Sequence, residues 1–459
     1  MKICKARNCV VPKSHAPSGT LLSASRLRPG LGKSEKPDVQ KLATTNGTGA
    51  AQRVLTTVWP LLALNFFMAD FQAGIGPFLG VFLLDHGWQS GLVGTVMTIG
   101  GVAGMLVVIP AGAMIDATHS KRAWVVAAGI ATIAASAIIL LSQSFWVVAA
   151  SQVATAIAGA AIIPAVNAIT LGIVGQRGFN RQNGKNQAFN HAGNVVGAAL
   201  SGYLGWKYGF GAIFLAAGVF GALSIAMILL IPASSIDHAA ARGMKSGETD
   251  TRASGFSVLF ECKPLLVLAA ALLAFHLGNG AMLPLYGMAV VSHSHADGPS
   301  FVAITIIVAQ ASMIIASIIA MRMAESDSYW LVLLISFIAL PVRGLLASQL
   351  VVPWGVYPVQ ILDGVGAGLQ SVAVPGFVAR TLDGTGRINV GQGAVMAAQG
   401  IGAALSPGIG GWIAQLIGYP AMFMVLGSFA LISIGLWIVN RSSLSAEGPS
   451  VSEAPLAKA

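Results

Sequence analysis

Charge is what this sequence has least of: 9% of its 459 residues are Asp, Glu, Lys or Arg, against about 25% in a soluble domain. A chain this poor in charge and 55% hydrophobic cannot clothe a water-facing surface. Its mean hydropathy of +0.76 marks an integral membrane protein. Cysteine is equally scarce, and Cys4, Cys9 and Cys262 are expected in the tail or on the cytoplasmic side, so no disulfide is expected. No sustained polar–apolar alternation occurs, which excludes a β-barrel. No complete phosphate loop is present either: Gly32-Lys33-Ser34 has Leu27 where the first glycine belongs, so ATP is not an expected partner. Cys4, Cys9 and His15 match no common zinc spacing, and neither metal nor cofactor is implied. No His is followed five residues later by Asp, and no dense His, Cys or acidic cluster lies within an apolar run. These gaps argue against a membrane enzyme, and the lack of a sizeable soluble domain argues against a sensor.

What is there is glycine, 55 residues of it, and long apolar runs. Small residues let membrane helices approach closely where no hydrophobic drive acts between them. Twelve apolar segments follow one another at 55–84, 91–115, 123–142, 145–174, 188–206, 211–232, 264–291, 301–323, 329–348, 353–379, 390–417 and 420–440. Each approaches or exceeds the roughly 20 residues needed to cross about 30 Å of hydrocarbon. The expected organisation is an all-α, twelve-helix membrane protein: a disordered basic tail (1–52), a first six-helix bundle (53–232), a polar linker (233–263), a second bundle (264–440) and a short tail (441–459). The first tail lacks the apolar core and cleavage site of a secretory signal, so removal by that route is not expected.

Basic residues set the orientation. With the N-terminus inside, every one of the 26 Lys and Arg except Lys207 and Arg343 falls in the tails or the cytoplasmic loops. Both termini are therefore expected in the cytoplasm of a multi-pass cytoplasmic (inner) membrane protein. The net charge of +10 is a topological signal, and nucleic acid is not an expected partner. Trp59, Trp88, Trp124, Trp146, Trp206, Trp330, Trp354, Trp412 and Trp437 all fall near segment ends, where interfacial belts place them.

The two halves repeat at an offset of 207 to 209 residues. Gln72, Pro77 and Gly80 match Asn279, Pro284 and Gly287; Gln152 matches Gln360; and Gly209-Phe210-Gly211-Ala212-Ile213-Phe214 matches Gly418-Tyr419-Pro420-Ala421-Met422-Phe423. Between segments two and three lies a tight charged hairpin, Pro110 to Arg122, that forces those helices to be antiparallel neighbours. Its Gly112, Asp116, Lys121 and Arg122 resemble the signature loop of the major facilitator superfamily, with Ala117 and His119 departing from the pattern. Two six-helix repeats around a midplane site are that family's architecture. The resemblance implies a secondary transporter working by alternating access, in which Gly112, Asp116, Lys121 and Arg122 form part of a cytoplasmic gate holding the outward-facing state. It also implies a small-molecule solute, the lipid bilayer and protons as partners, and a monomer.

Segment five carries Gly193, Gly197, Ala198, Ser201 and Gly202, spaced like the helix-5 pattern of the family's antiporters of drugs or metabolites. Generic small-residue packing reads the same residues equally well. Segment eleven, with Gly402, Ser406, Pro407, Gly410 and Gly411, is closer to that pattern, and its proline is a bend. The expected activity is therefore proton-coupled efflux. Uptake by a symporter or a uniporter on the same fold is the alternative.

Charge inside the membrane is the sharpest pointer to function, because a carboxylate at a helix centre costs roughly 2.5 to 3.5 kcal/mol on insertion scales. Two acids lie inside the expected helices, Asp70 and Asp363. Asp70, midway along segment one beside Asn65 and Gln72, is the first candidate for proton coupling, the other reading being a structural acid. Asp363 in segment ten is expected to pair with Arg343 in segment nine, as structure or as substrate contact. His276 and Asn279 in segment seven, and His191 and Asn194 in segment five, complete the cavity candidates. His276 is also a proton-relay candidate, although a lone histidine in a helix is more often a packing residue. The helix-4 arginine of the family is Gln152 here, which removes the usual proton switch. His293, His295 and Asp297 in an outer loop fit a solvated loop better than a metal site.

Overall fold

A chain in hydrocarbon must satisfy its backbone hydrogen bonds internally, and these apolar runs do so as helices. The structure is a computed structural model and describes residues 57–69, 76–238, 241, 262–294, 296–324, 328–382 and 388–444. In the first half these are α1 (Thr57–Ala69), α2 (Gly76–Asp85), α3 (Ser90–Ala117), α4 (Lys121–Leu141), α5 (Phe145–Tyr208) and α6 (Phe210–Leu230). In the second half they are α7 (Lys263–Asn279), α8 (Met282–Ser294), α9 (Gly298–Ala324), α10 (Tyr329–Gln349), α11 (Val356–Thr381), α12 (Ile388–Ile417), α13 (Tyr419–Val439) and the short α14 (Arg441–Leu444). Among the described residues, ten spans are long and apolar enough to cross a membrane. The first expected segment includes α1 and α2, with 70–75 outside the described residues, and the fifth lies in the polar, glycine-rich second half of α5.

Three local features differ from a reading of twelve plain segments. The polar stretch after Gly175, expected as a loop, is helical, and α5 runs on through a single non-helical residue, Gly175, at φ 67°. Only glycine takes that conformation cheaply. Segment seven is one 32-residue span, Lys263–Ser294, but it is interrupted at Gly280 and Ala281 between α7 and α8. The third is the corner between the last two helices of each half. Gly209 (φ 82°) turns α5 into α6 and Gly418 (φ 89°) turns α12 into α13, at the offset the sequence repeat gives.

Each half packs through close helix contacts at small residues. A methyl on Gly364 or Gly368 of α11 would run into the carbonyl oxygens of Ala309 or Met313 on α9. α10 and α13 are joined by a reciprocal tryptophan pair: Trp437 Nε1 donates to Trp330 O at 2.9 Å and Trp330 Nε1 to Trp437 O at 3.4 Å. Arg441 of α14 lies over the Trp330 ring, 4.5 Å from its centroid, a favourable cation–π distance.

The halves meet along α3 and α12. Gln415 Nε2 donates to Gln89 Oε1 (2.6 Å) while its Oε1 accepts from Gly91 N (3.1 Å). Ser90 Oγ donates to Gly411 O, Trp412 Nε1 to Thr95 Oγ1, and Gly408 N to Thr98 Oγ1. Gly94 lies against the Pro407 carbonyl and Gly101 against Ala404, so the seam runs from Gln89 to Gly101 on α3 and from Gln415 back to Ala404 on α12. A second contact joins α5 to α9, with Gly202 against Ala303 and Gly205 against Pro299.

Candidate functional site

A buried guanidinium needs acceptors, and three helices supply them to Arg343. The residue is 1% exposed on α10. Its Nη1 donates to Asp363 Oδ1 on α11 (2.8 Å) and to Asn279 Oδ1 at the end of α7 (2.6 Å). Its Nη2 donates to Gln360 Oε1, one helical turn before Asp363 (3.1 Å). Asn279 closes the ring, its Nδ2 donating to Asp363 Oδ1 at 3.3 Å. The expected pairing of Arg343 with Asp363 is therefore present, and Asn279, a cavity candidate, bridges both partners.

The ring is unevenly filled. Arg343 Nε and Gln360 Nε2 are buried without a hydrogen-bond partner among the described residues. Both bonds to Asp363 end on Oδ1, and the residue is 14% exposed. Among the described residues no bond reaches Oδ2, and a proton there would break neither bond to Oδ1. Tyr286 of α8 stands behind the ring, its hydroxyl donating to Leu350 O at 2.6 Å.

One turn before Asn279, His276 places Nε2 3.0 Å from Gln399 Nε2 of α12. That contact ties the histidine of α7 to α12. Gln370 of α11 donates to Ser336 Oγ, which donates to Gly366 O.

In the first half, Asn65 of α1 is buried and donates back to Leu61 O at 2.8 Å. Asn190 donates to Asn65 O and accepts from Asn194 Nδ2, both at 3.3 Å. His191 reaches the other half, with Nδ1 3.0 Å from Gln310 Oε1 on α9. Asp70 and Gln72 lie outside the described residues. Asn190, Gln310, Gln370 and Gln399 were not singled out in the sequence, although polar amides inside apolar runs are the signal that would have found them.

At the hairpin, the basic pair caps helix ends. The last carbonyls of a helix lack intrahelical donors and attract cations. Lys121, buried, donates to Ile115 O (2.6 Å) and Thr118 O (2.8 Å) at the end of α3. Arg122 donates to Ile228 O and Leu229 O at the end of α6. Gly112 faces open space, and the side chain of Asp116 lies outside the described residues.

The glycines of segments five and eleven serve close approach. A methyl on Gly193 would land on Phe66 O, one on Gly202 on Ala303, one on Gly410 on Leu285, and one on Gly411 on Ser90 O. Pro407 turns its own carbonyl toward Gly94 in the seam. Gly197 is buried. Just before α9, Asp297 Oδ2 accepts from Ser300 N (2.9 Å), and in the last turn of α8 His293 Nδ1 bonds Ala289 O (2.9 Å), both local uses; His295 lies outside the described residues.

Comparison with known proteins places this arrangement. Residues 61–390 match the family model described as Major Facilitator Superfamily. An uncharacterized MFS-type transporter of Mycobacterium tuberculosis is 38% identical over 379 residues, covering 82% of this chain and 91% of that one. The multi-drug resistance efflux pump PmrA of Streptococcus pneumoniae is 26% identical over 192 residues, 39% of this chain and 47% of that one. Among solved structures, the nucleoside transporter NupG superposes with a TM-score of 0.70 at 13% identity, over 83% of this chain and 99% of that one. A bacterial homolog of the lysosomal transporter Spinster superposes at 0.63 and 14% identity, over 86% and 97%. These two likenesses concern the fold. The chain belongs to the Major Facilitator Superfamily, a membrane transporter with helices long enough to span the bilayer.

Proposed function

We propose that this transporter exports a small amphiphilic solute in exchange for protons, with Asp363 as a proton-binding carboxylate. The observation that carries this reading is the buried ring in which Arg343 and Asn279 hold Oδ1 of Asp363 while Oδ2 takes no bond from any described residue. A proton and a donor group of the solute compete for that oxygen, so binding one releases the other. Exchange follows when only the occupied forms change the side to which the site opens. Asp70 is a second coupling candidate in the first half, and His276 a third beside Asn279. His191 and Asn194 border the solute path.

Efflux draws support from the small-residue pattern of segments five and eleven and from the partial likeness to a multi-drug efflux pump. With both termini cytoplasmic and residues 53–232 and 264–440 rocking as bundles in the inner membrane, the seam of α3 and α12 closes the outer face. The helix-capping hairpin at Asp116, Lys121 and Arg122 then stands at the inner gate. The protein works as a monomer without ATP. Reconstitution in liposomes tests this: an imposed pH gradient drives solute across the membrane in the wild type and not in Asp363→Asn. Solute movement that ignores the gradient in the wild type contradicts exchange.

A further inference from the structure

We infer that the interruption of segment seven is the joint through which the charge ring acts on the seam between the halves, with Asn279 and Ser406 as its positioning residues. The inference rests on reading Asp363 as a proton site. A helix broken inside a membrane leaves backbone groups that must find other partners. Here the N–H of Ala281, the first residue beyond Gly280, donates to Ser406 Oγ of α12 at 2.8 Å. Ser406 is fully buried, so the bond is an internal tie between α8 and α12. On the near side of the break, Asn279 is the last residue of α7 and bonds both members of the ion pair.

The break is also tight. A methyl on Gly280 would sit 3.0 Å from Ala403 Cα and O and 3.1 Å from Ser406 Cβ. α12 then carries the tie onward: two residues after Ser406, Gly408 N donates to Thr98 Oγ1 of α3 (2.8 Å), and Gly411, Trp412 and Gln415 make the remaining seam bonds. Named contacts therefore connect Asp363 to α3 without a gap, through Asn279, the Gly280–Ala281 break, Ser406 and one helix.

The groups that bear on Asp363 are few. Arg343 of α10 bonds it directly, His276 of α7 lies one turn before its partner Asn279, and Tyr286 of α8 bonds Leu350 O. α9, which packs along α11, carries Arg322 near its far end as its one titratable side chain, and α12 carries none. When Asp363 takes a proton, the attraction between Oδ1 and Arg343 weakens, and Arg343 leans on Asn279 and Gln360. Asn279 shifts with it, the break moves, and Ser406 transfers the displacement to the seam. The bonds of the seam run between amides, hydroxyls, an indole and backbone groups, none of which titrates.

The test uses spin labels at Leu92 on α3 and Leu416 on α12, both exposed and outside the seam bonds, in full-length protein with its native cysteines replaced. The distance distribution is recorded in acidic and alkaline buffer. In the wild type the distribution changes with pH, and in Asp363→Asn it does not. Ser406→Ala removes the tie and Gly280→Ala wedges the joint; each is expected to lose the pH response while remaining folded and monodisperse. A full response in both joint variants overturns the inference and leaves Asp363 as the proton site. A response absent from the wild type, or retained in Asp363→Asn, removes the proton-site reading and the inference together.

Discussion

Gly402 of α12 lies directly against the carbonyl oxygen of Leu273 on α7. Its repeat partner, Gly193 of α5, lies in the same way against the carbonyl of Phe66 on α1. The two contacts hold the first helix of each half to the helix that faces the other half. A side chain at either glycine must push backbone aside. Gly402→Val and Gly193→Val are each expected to destabilise the protein by about 1–3 kcal/mol or more, the cost of overpacking a tight core, read as earlier thermal unfolding in detergent. Gly112→Val, where the space is open, is expected to unfold close to the wild-type temperature.

Arg343 and Asp363 make a buried pair, and breaking such a pair costs more than forming it gains. Asp363→Leu alone leaves the guanidinium with amide acceptors only and is expected to cost about 3–5 kcal/mol. The double change Arg343→Leu with Asp363→Leu is expected to cost less than either single change. A double-mutant cycle on unfolding in denaturant measures the difference, and additive single effects would show that the pair is not coupled.

Lys121 holds two carbonyls at the end of α3. Lys121→Met keeps the length of the side chain and removes the donor. A charged hydrogen bond of this kind is worth about 1.5–3 kcal/mol, so a loss of that order in stability is expected. Hydrogen exchange at Ile115 to Thr118 should rise, because the last turn of α3 loses its cap.

The seam of α3 and α12 is uncharged on both sides. Screening acts on charges, so added salt should leave the distance between labels at Leu92 and Leu416 nearly unchanged at fixed pH. Gln415→Leu removes bonds to both Gln89 and Gly91 and is expected to widen that distance in either buffer.

Much of this was readable from residue types alone. Apolar length located the spans, the offset between halves located the corner glycines Gly209 and Gly418, and two opposite charges in neighbouring runs located Arg343 and Asp363. The rest depends on partners distant in sequence. Nothing local to Gly280 and Ala281 distinguishes a break from a flexible glycine; Ser406, 125 positions away, provides the bond that stabilises it. Gln310, Gln370 and Gln399 are uncharged amides inside apolar runs, and the partner each one meets emerges only when the helices are assembled. The polar stretch after Gly175 looked like a loop because polarity suggests water, yet its residues do not break a helix.

The measurement closest to the central claim is proton release by the purified, detergent-solubilised protein when cationic drugs, anionic metabolites and neutral sugars are added in turn, for the wild type, Asp363→Asn and Asp70→Asn. The account predicts that at least one compound releases protons from the wild type and that Asp363→Asn abolishes the release. Release that persists undiminished in Asp363→Asn would contradict it.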